Sequence, residues 1–247
     1  MPKIFVYGDS HTRVLKDAAE RFPKGNKIEF DIHWMFSEKN GVTRGDMMFE
    51  DAKTAVASLQ SGDIFVISLL GTAHNIFGLV EHERKFCVVS EQCSNNTFLD
   101  CELIPSSTMR DMFYGVCQKN KRIGELKSQA TVPVYHLMTP PPKEDNEYIK
   151  AKTSRYRDKI IGEHDINKPE LRLALWNLEM SAVKQFCEGL DVNVIEPPFE
   201  SISEHGFLKP HFYGGDATHA NRAYGELVLY QLKELTILPQ KKAGSLL

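Results

Sequence analysis

Two stretches of the chain, "KIFVYG" (3–8) and "DIFVISLLG" (63–71), are apolar almost without interruption. A strand with one wet face alternates apolar and polar side chains, whereas a strand covered on both faces does not, and that second pattern belongs to parallel sheets layered between helices. Three further runs, "IEFDIHWM" (28–35), "VPVYHLM" (132–138) and "VNVIEPP" (192–198), are short, rich in β-branched and aromatic residues, and bounded by Gly, Pro or Asp. They read as strands too. Helical periodicity fills the gaps, at about 11–22, 46–61, 107–128, 170–189 and 219–236, with Gly62 and Gly189 as stops. Strands and helices in alternation require right-handed crossovers, so the expected fold is an α/β three-layer α/β/α sandwich with a mainly parallel five-stranded sheet in the order 2-1-3-4-5.

At 247 residues the chain has the length of one large domain with a well-buried core, and a single domain over 1–247 is expected. Two segments break the alternation. Residues 78–106 read as a hairpin or cap over one sheet edge, and the charged stretch 143–169 as a lid or a solvated excursion. With a net charge of −3 and 26% charged residues, no strong field calls for nucleic acid or an anionic membrane, which leaves a small molecule as the expected partner. Met1-Pro2-Lys3 leads directly into a strand, so neither a signal peptide nor a membrane span is expected. The five cysteines are odd in number and lack C-x-x-C spacing; reduced thiols in the cytoplasm are the simplest expectation, with no metal site.

Gly8-Asp9-Ser10 falls at the carboxyl end of the first strand, where open α/β sheets bind ligands. Two readings of it stand side by side. Asp9 or Ser10 caps the helix that starts near His11, or Ser10 is a nucleophile beside a helix N-terminus that favours developing negative charge. Far along the chain, Asp216 and His219 are three residues apart ahead of an amphipathic helix. A carboxylate at that spacing either caps the turn or holds one imidazole nitrogen and frees the other as a base. The third strand ends in "GTAHN", whose Gly71, His74 and Asn75 offer a close backbone approach, a substrate contact and a side-chain amide for an oxyanion.

In this order the three stretches resemble the SGNH (GDSL-like) hydrolase family, serine esterases and acyl-hydrolases on a flavodoxin-like fold. Gly8-Asp9-Ser10 matches the family's first block and Asp216 to His219 its last, so the resemblance spans nearly the whole chain. It implies a catalytic Ser10-His219-Asp216 triad that cleaves an O-acyl ester, with Asn75 as an oxyanion donor and no metal or organic cofactor. The middle blocks depart from the family pattern. The usual Gly-x-Asn-Asp is here Gly71-Thr72-Ala73-His74-Asn75 with no following Asp, and the backbone donor of the second block falls on Gly41 or Gly45, with Gly41 preferred. His74 competes with Asn75 for the third block's role. His11 stands where the commoner form has Leu, as in Gly-Asp-Ser-His variants on carbohydrate O-acyl esterases and acyltransferases, which implies a sugar-linked acyl group. The same triad serves an O-acyltransferase, and a catalytically silent carbohydrate- or protein-binding module is the remaining alternative.

Overall fold

The computed structural model describes residues 1–23, 28–89, 101–152 and 165–236. Five strands, β1 (Lys3–Gly8), β2 (Glu29–Trp34), β5 (Ile64–Ser68), β8 (Val134–Leu137) and β9 (Asn193–Ile195), pair in parallel in the order β2-β1-β5-β8-β9. That is the order 2-1-3-4-5 expected from the sequence, and the sheet is a three-layer α/β fold.

Helices cover both faces, which explains the unbroken apolar runs. On β1, Ile4 and Val6 face α1 (Thr12–Ala19) and α8 (Arg222–Leu235), packing with Leu15, Ala18, Val228 and Leu232. Phe5 and Tyr7 point the other way, against Ala52 and Val56 of α2 (Phe49–Ala57) and Ile123 and Leu126 of α5 (Lys121–Gln129). Helix α7 (Pro169–Gly189) adds Val183 and Cys187 to that second face. Among the described residues no helix is long and apolar enough to cross a membrane.

Several boundaries differ from expectation for identifiable reasons. The single helix expected over 107–128 is two, α4 (Ser106–Lys119) and α5, because Asn120 turns extended and its side chain accepts from the Arg122 N–H, capping a new start. The last helix begins at Arg222 under an Asn221 cap and not at His219. The stretch 37–44 folds as a small antiparallel ribbon, β3 (Ser37–Lys39) with β4 (Val42–Arg44), which the sequence reading did not mark.

The first irregular segment is corrected, while most of the excursion expected within 143–169 lies outside the described residues. Within 78–106, β6 (Phe86–Val89) and β7 (Glu102–Pro105) pair in parallel, not as a hairpin. Phe86, Val88 and Ile104 rest on Phe113 of α4 and Leu175 of α7, so the pair covers the helical layer and not a sheet edge. Cys87 and Cys101 are disulfide-bonded with their Cα atoms 6.0 Å apart, against the expectation of reduced thiols; Cys117 and Cys187 are free and buried, and Cys93 lies outside the described residues. The described ends of 143–169 are pinned down. Ile149 of α6 (Asn146–Ala151) and Ile166 are buried together with Leu79, and the Asn167 amide donates to the Val80 carbonyl at 2.6 Å.

Candidate active site

Gly8 closes β1 in a place with no room for a side chain. A Cβ there would lie 2.3 Å from the Ser68 carbonyl oxygen and 2.4 Å from Thr12 Oγ1, so the strand end, the neighbouring strand and the first turn of α1 converge. Asp9 then turns the chain: its N–H donates to the Ser68 carbonyl, its own carbonyl accepts from Thr12 N–H, and its carboxylate accepts from His11 N–H at 3.1 Å. Burial pushes the Asp9 carboxyl up to about 6, with the His11 N–H and the charge of His219 working against that rise. The helix boundary falls at His11, which gives no side-chain cap, and the Ser10 hydroxyl is therefore not spent on capping.

It is spent on His219. Ser10 Oγ lies 2.8 Å from His219 Nε2 across 209 positions of sequence. Behind the imidazole, Asp216 uses both oxygens: Oδ1 accepts from the backbone N–H groups of Thr218 and His219 at 2.8 Å each, and Oδ2 lies 2.6 Å from His219 Nδ1. Asp216 therefore caps the turn and orients the ring at once. Burial opposes its charge, but the hydrogen bond and positive charge of His219 and the two N–H donors outweigh it and hold the carboxyl well below the usual carboxylate range. An ionised Asp216 only accepts, so Nδ1 carries the ring hydrogen and Nε2 offers its lone pair to the Ser10 hydroxyl.

Beneath the turn sits a residue that the sequence reading missed. Lys143 is 2% exposed, donates to the Gly214 carbonyl at 2.9 Å and to the Asp216 carbonyl, and lies 4.9 Å and 5.1 Å from the ring centres of Tyr148 and Tyr213. Burial lowers it to about 8, and the Asp216 charge only partly offsets this. Arg172 of α7 in turn fixes the Lys143 and Glu144 carbonyls at 2.7 and 3.0 Å. The signal for Arg172 was present in the sequence: it lies seven residues before Glu179, and both fall on the core-facing stripe of α7 with Leu175, Trp176, Met180 and Val183.

Across the cleft, Gly71 has φ +96°, a left-handed conformation, and its carbonyl accepts from Thr139 Oγ1 at 2.8 Å. This turns the chain into α3 (His74–Gly78). His74 and Asn75 line a narrow polar cleft together with His11, Thr139, Lys143 and Thr218. The imidazoles of His11 and His219 lie against each other, ring centres 4.7 Å apart, so this cleft adjoins the Ser10 pair.

Comparison with solved structures finds likenesses that run along most of the chain. A carbohydrate acetylesterase from Sinorhizobium meliloti superposes at TM-score 0.48 and 12% identity, covering 96% of this chain and 99% of that one. A GDSL-like lipase from Bacteroides thetaiotaomicron gives 0.47 at 10% identity, covering 95% and 87% respectively. An inhibitor-bound aryl esterase from M. smegmatis gives 0.47 at 11%, covering 96% and 99%. No family model matches the sequence, and no curated protein does.

Of the six residues singled out from sequence, Ser10, His219 and Asp216 form one hydrogen-bonded chain, and His74 and Asn75 share the adjoining cleft. Gly41 is not among them. It sits in the exposed turn between β3 and β4 at φ +72°, with open space around its Cα. Gly45 packs instead on the backbone of Met35, just past the end of β2. A broad groove of about 1040 Å³ runs between this ribbon and α1, lined by Arg13, Lys16, Trp34, Thr43 and Arg44.

Proposed function

We propose that the chain is a serine esterase that cleaves an O-acyl ester through Ser10, His219 and Asp216. One observation carries the reading: Ser10 Oγ, His219 Nε2 and Nδ1, and Asp216 Oδ2 stand in line at 2.8 and 2.6 Å, from segments at opposite ends of the sequence.

In the first half-reaction Ser10 Oγ attacks the ester carbonyl carbon while His219 Nε2 takes the hydroxyl proton. Asp216 stabilises the imidazolium that forms without itself becoming protonated. The tetrahedral oxyanion accepts hydrogen bonds from the Ser10 N–H at the start of α1 and from the Asn75 amide. His219 returns the proton to the departing alkoxide, and the alcohol leaves. Water then attacks the acyl-serine, His219 takes its proton and passes it to Ser10 Oγ as the carboxylic acid is released. Every proton is accounted for by one imidazole. The alcohol is a sugar in this reading: the Gly8-Asp9-Ser10-His11 run resembles that of carbohydrate O-acyl esterases, and the groove beside α1 offers the Trp34 face with Arg13, Thr43 and Arg44 as donors.

Labelling with a fluorophosphonate probe and mapping of the modified peptide tests the nucleophile. Ser10 takes the label in the parent chain, and Ser10→Ala and His219→Ala each lower turnover of p-nitrophenyl acetate by several orders of magnitude. A parent chain that is not labelled at Ser10, or Ser10→Ala with undiminished turnover, overturns the reading. Transfer of the acetyl group to added sugar in preference to water would replace hydrolysis by acyl transfer on the same triad.

A further inference from the structure

The second imidazole of the cleft has its own carboxylate. Glu179 lies on α7 among Leu175, Trp176, Met180, Ala182 and Val183, and is 3% exposed. Its oxygens all go to one short segment. Oε1 accepts from Ala73 N–H at 3.0 Å, and Oε2 accepts from His74 N–H at 2.7 Å and lies 2.7 Å from His74 Nδ1. Those N–H groups are the unpaired donors at the start of α3, for which Ala73 has no side-chain acceptor of its own. A carboxylate buried among apolar side chains is costly to keep, and an apolar residue here would avoid that cost. The arrangement repeats the Asp216-His219 design, one carboxylate holding two backbone N–H groups and one Nδ1, in a segment that ends on Asn75 and lines the same cleft.

We propose that Glu179 is a positioning residue for this reaction, fixing His74 in the Nδ1–H form so that its Nε2 accepts a hydrogen bond from a free hydroxyl on the substrate. The inference rests on the esterase reading and deepens it: the preferred substrates are partly acylated polyols, with a free hydroxyl beside the ester, over esters of simple alcohols. A carboxylate that accepts leaves the imidazole a bare Nε2, and a bare nitrogen recognises a donor. His74 is 4% exposed, so a substrate hydroxyl meets it away from competing water.

The test compares two esters that share an acyl group, ethylene glycol monoacetate and ethyl acetate. The parent chain is expected to favour the glycol ester several-fold to about tenfold in kcat/KM, the size of one well-placed hydrogen bond. His74→Leu brings the ratio close to one, Glu179→Gln lowers it, and the double variant lowers it no further than His74→Leu alone. The ratio is internally controlled: a variant that merely loosens the fold slows both esters alike and leaves it unchanged, which overturns the positioning role. A parent ratio near one overturns the inference while leaving the esterase reading intact, whereas a parent that cleaves neither ester and takes no label at Ser10 overturns the esterase reading itself. The nitrogen-15 shifts of the His74 ring give a check without turnover. They are expected to show Nδ1–H, and an Nε2–H ring overturns the assignment.

Discussion

Asp216→Asn separates the two jobs of that side chain. An amide keeps one acceptor and gains one donor, so its orientation is decided by whichever partners lose more. At Oδ1 stand two backbone N–H groups at 2.8 Å, and at Oδ2 a single ring nitrogen at 2.6 Å. Turning the amide nitrogen toward the two N–H groups would strand both donors, at about 1–3 kcal/mol each, against one bond saved at the ring. The amide oxygen therefore stays on the turn and the NH2 faces His219 Nδ1. A donor there makes Nδ1 an acceptor and moves the ring hydrogen to Nε2, where it points at Ser10 Oγ and removes the lone pair that should take the proton. The same exchange in a serine protease triad lowers kcat by about 10⁴, equivalent to about 5.5 kcal/mol, and that is the magnitude expected. Because the turn keeps its bonds, stability should change by no more than about 1 kcal/mol, or about 2–4 °C in Tm. Asp216→Ala, in contrast, should lose activity and melt earlier, since two N–H groups lose their acceptor. Steady-state hydrolysis of p-nitrophenyl acetate and a thermal melt on the same preparations read both quantities. A kcat within tenfold of the parent for Asp216→Asn would refute the orientation argument, and so would a melt as depressed as that of Asp216→Ala.

Lys143→Met removes both the donor to the Gly214 and Asp216 carbonyls and the burden of a buried ammonium, so the melting temperature should move little while kcat falls about 10–100-fold as the acid turn loses its anchor; an unchanged kcat argues against that anchoring. His136 on β8 is fully buried, neither ring nitrogen has a hydrogen-bond partner among the described residues, and burial lowers it to about 4. The folded state resists a proton that the unfolded chain takes up below about 6.5, so stability drains away as pH falls from about 6.5 to 4. His136→Phe should flatten that part of the pH–stability curve, measured by urea unfolding at pH 7 and pH 4.5, and an equal acid loss in both proteins would remove His136 as its source.

The sheet was legible because burial on two faces leaves a direct mark: Ile4 to Tyr7 and Ile64 to Ile67 have no polar side to show. The ends of elements were less so, since Asn120 and Asn221 act as caps through single side-chain bonds that no periodicity reveals. At the candidate site, Ser10, Asp216 and His219 stood out because their neighbours are short, polar and turn-forming. Glu179 and Lys143 were passed over for the opposite reason. Each is one charged residue in an otherwise ordinary helix or charged stretch, and its meaning lies in backbone groups about 70 to 106 positions away that only the folded chain brings to it. The Cys87–Cys101 bond was hidden similarly, Cys87 lying on β6 and Cys101 just ahead of β7, at a spacing that forms no motif.

The separation of 209 positions between Ser10 and His219 has a temporal meaning during synthesis. Strand β1 and Ser10 leave the ribosome long before the segment that carries His219, and α8, which follows it, has to settle against α1 with Gly225 close on the Val14 carbonyl. A nascent chain therefore holds the Ser10 hydroxyl apart from His219 until α8 has been made and docks on α1. On the proposed reading, ester turnover would then appear all at once when α8 docks, and a product that stops short of His219 would carry Ser10 without its hydrogen-bond partner.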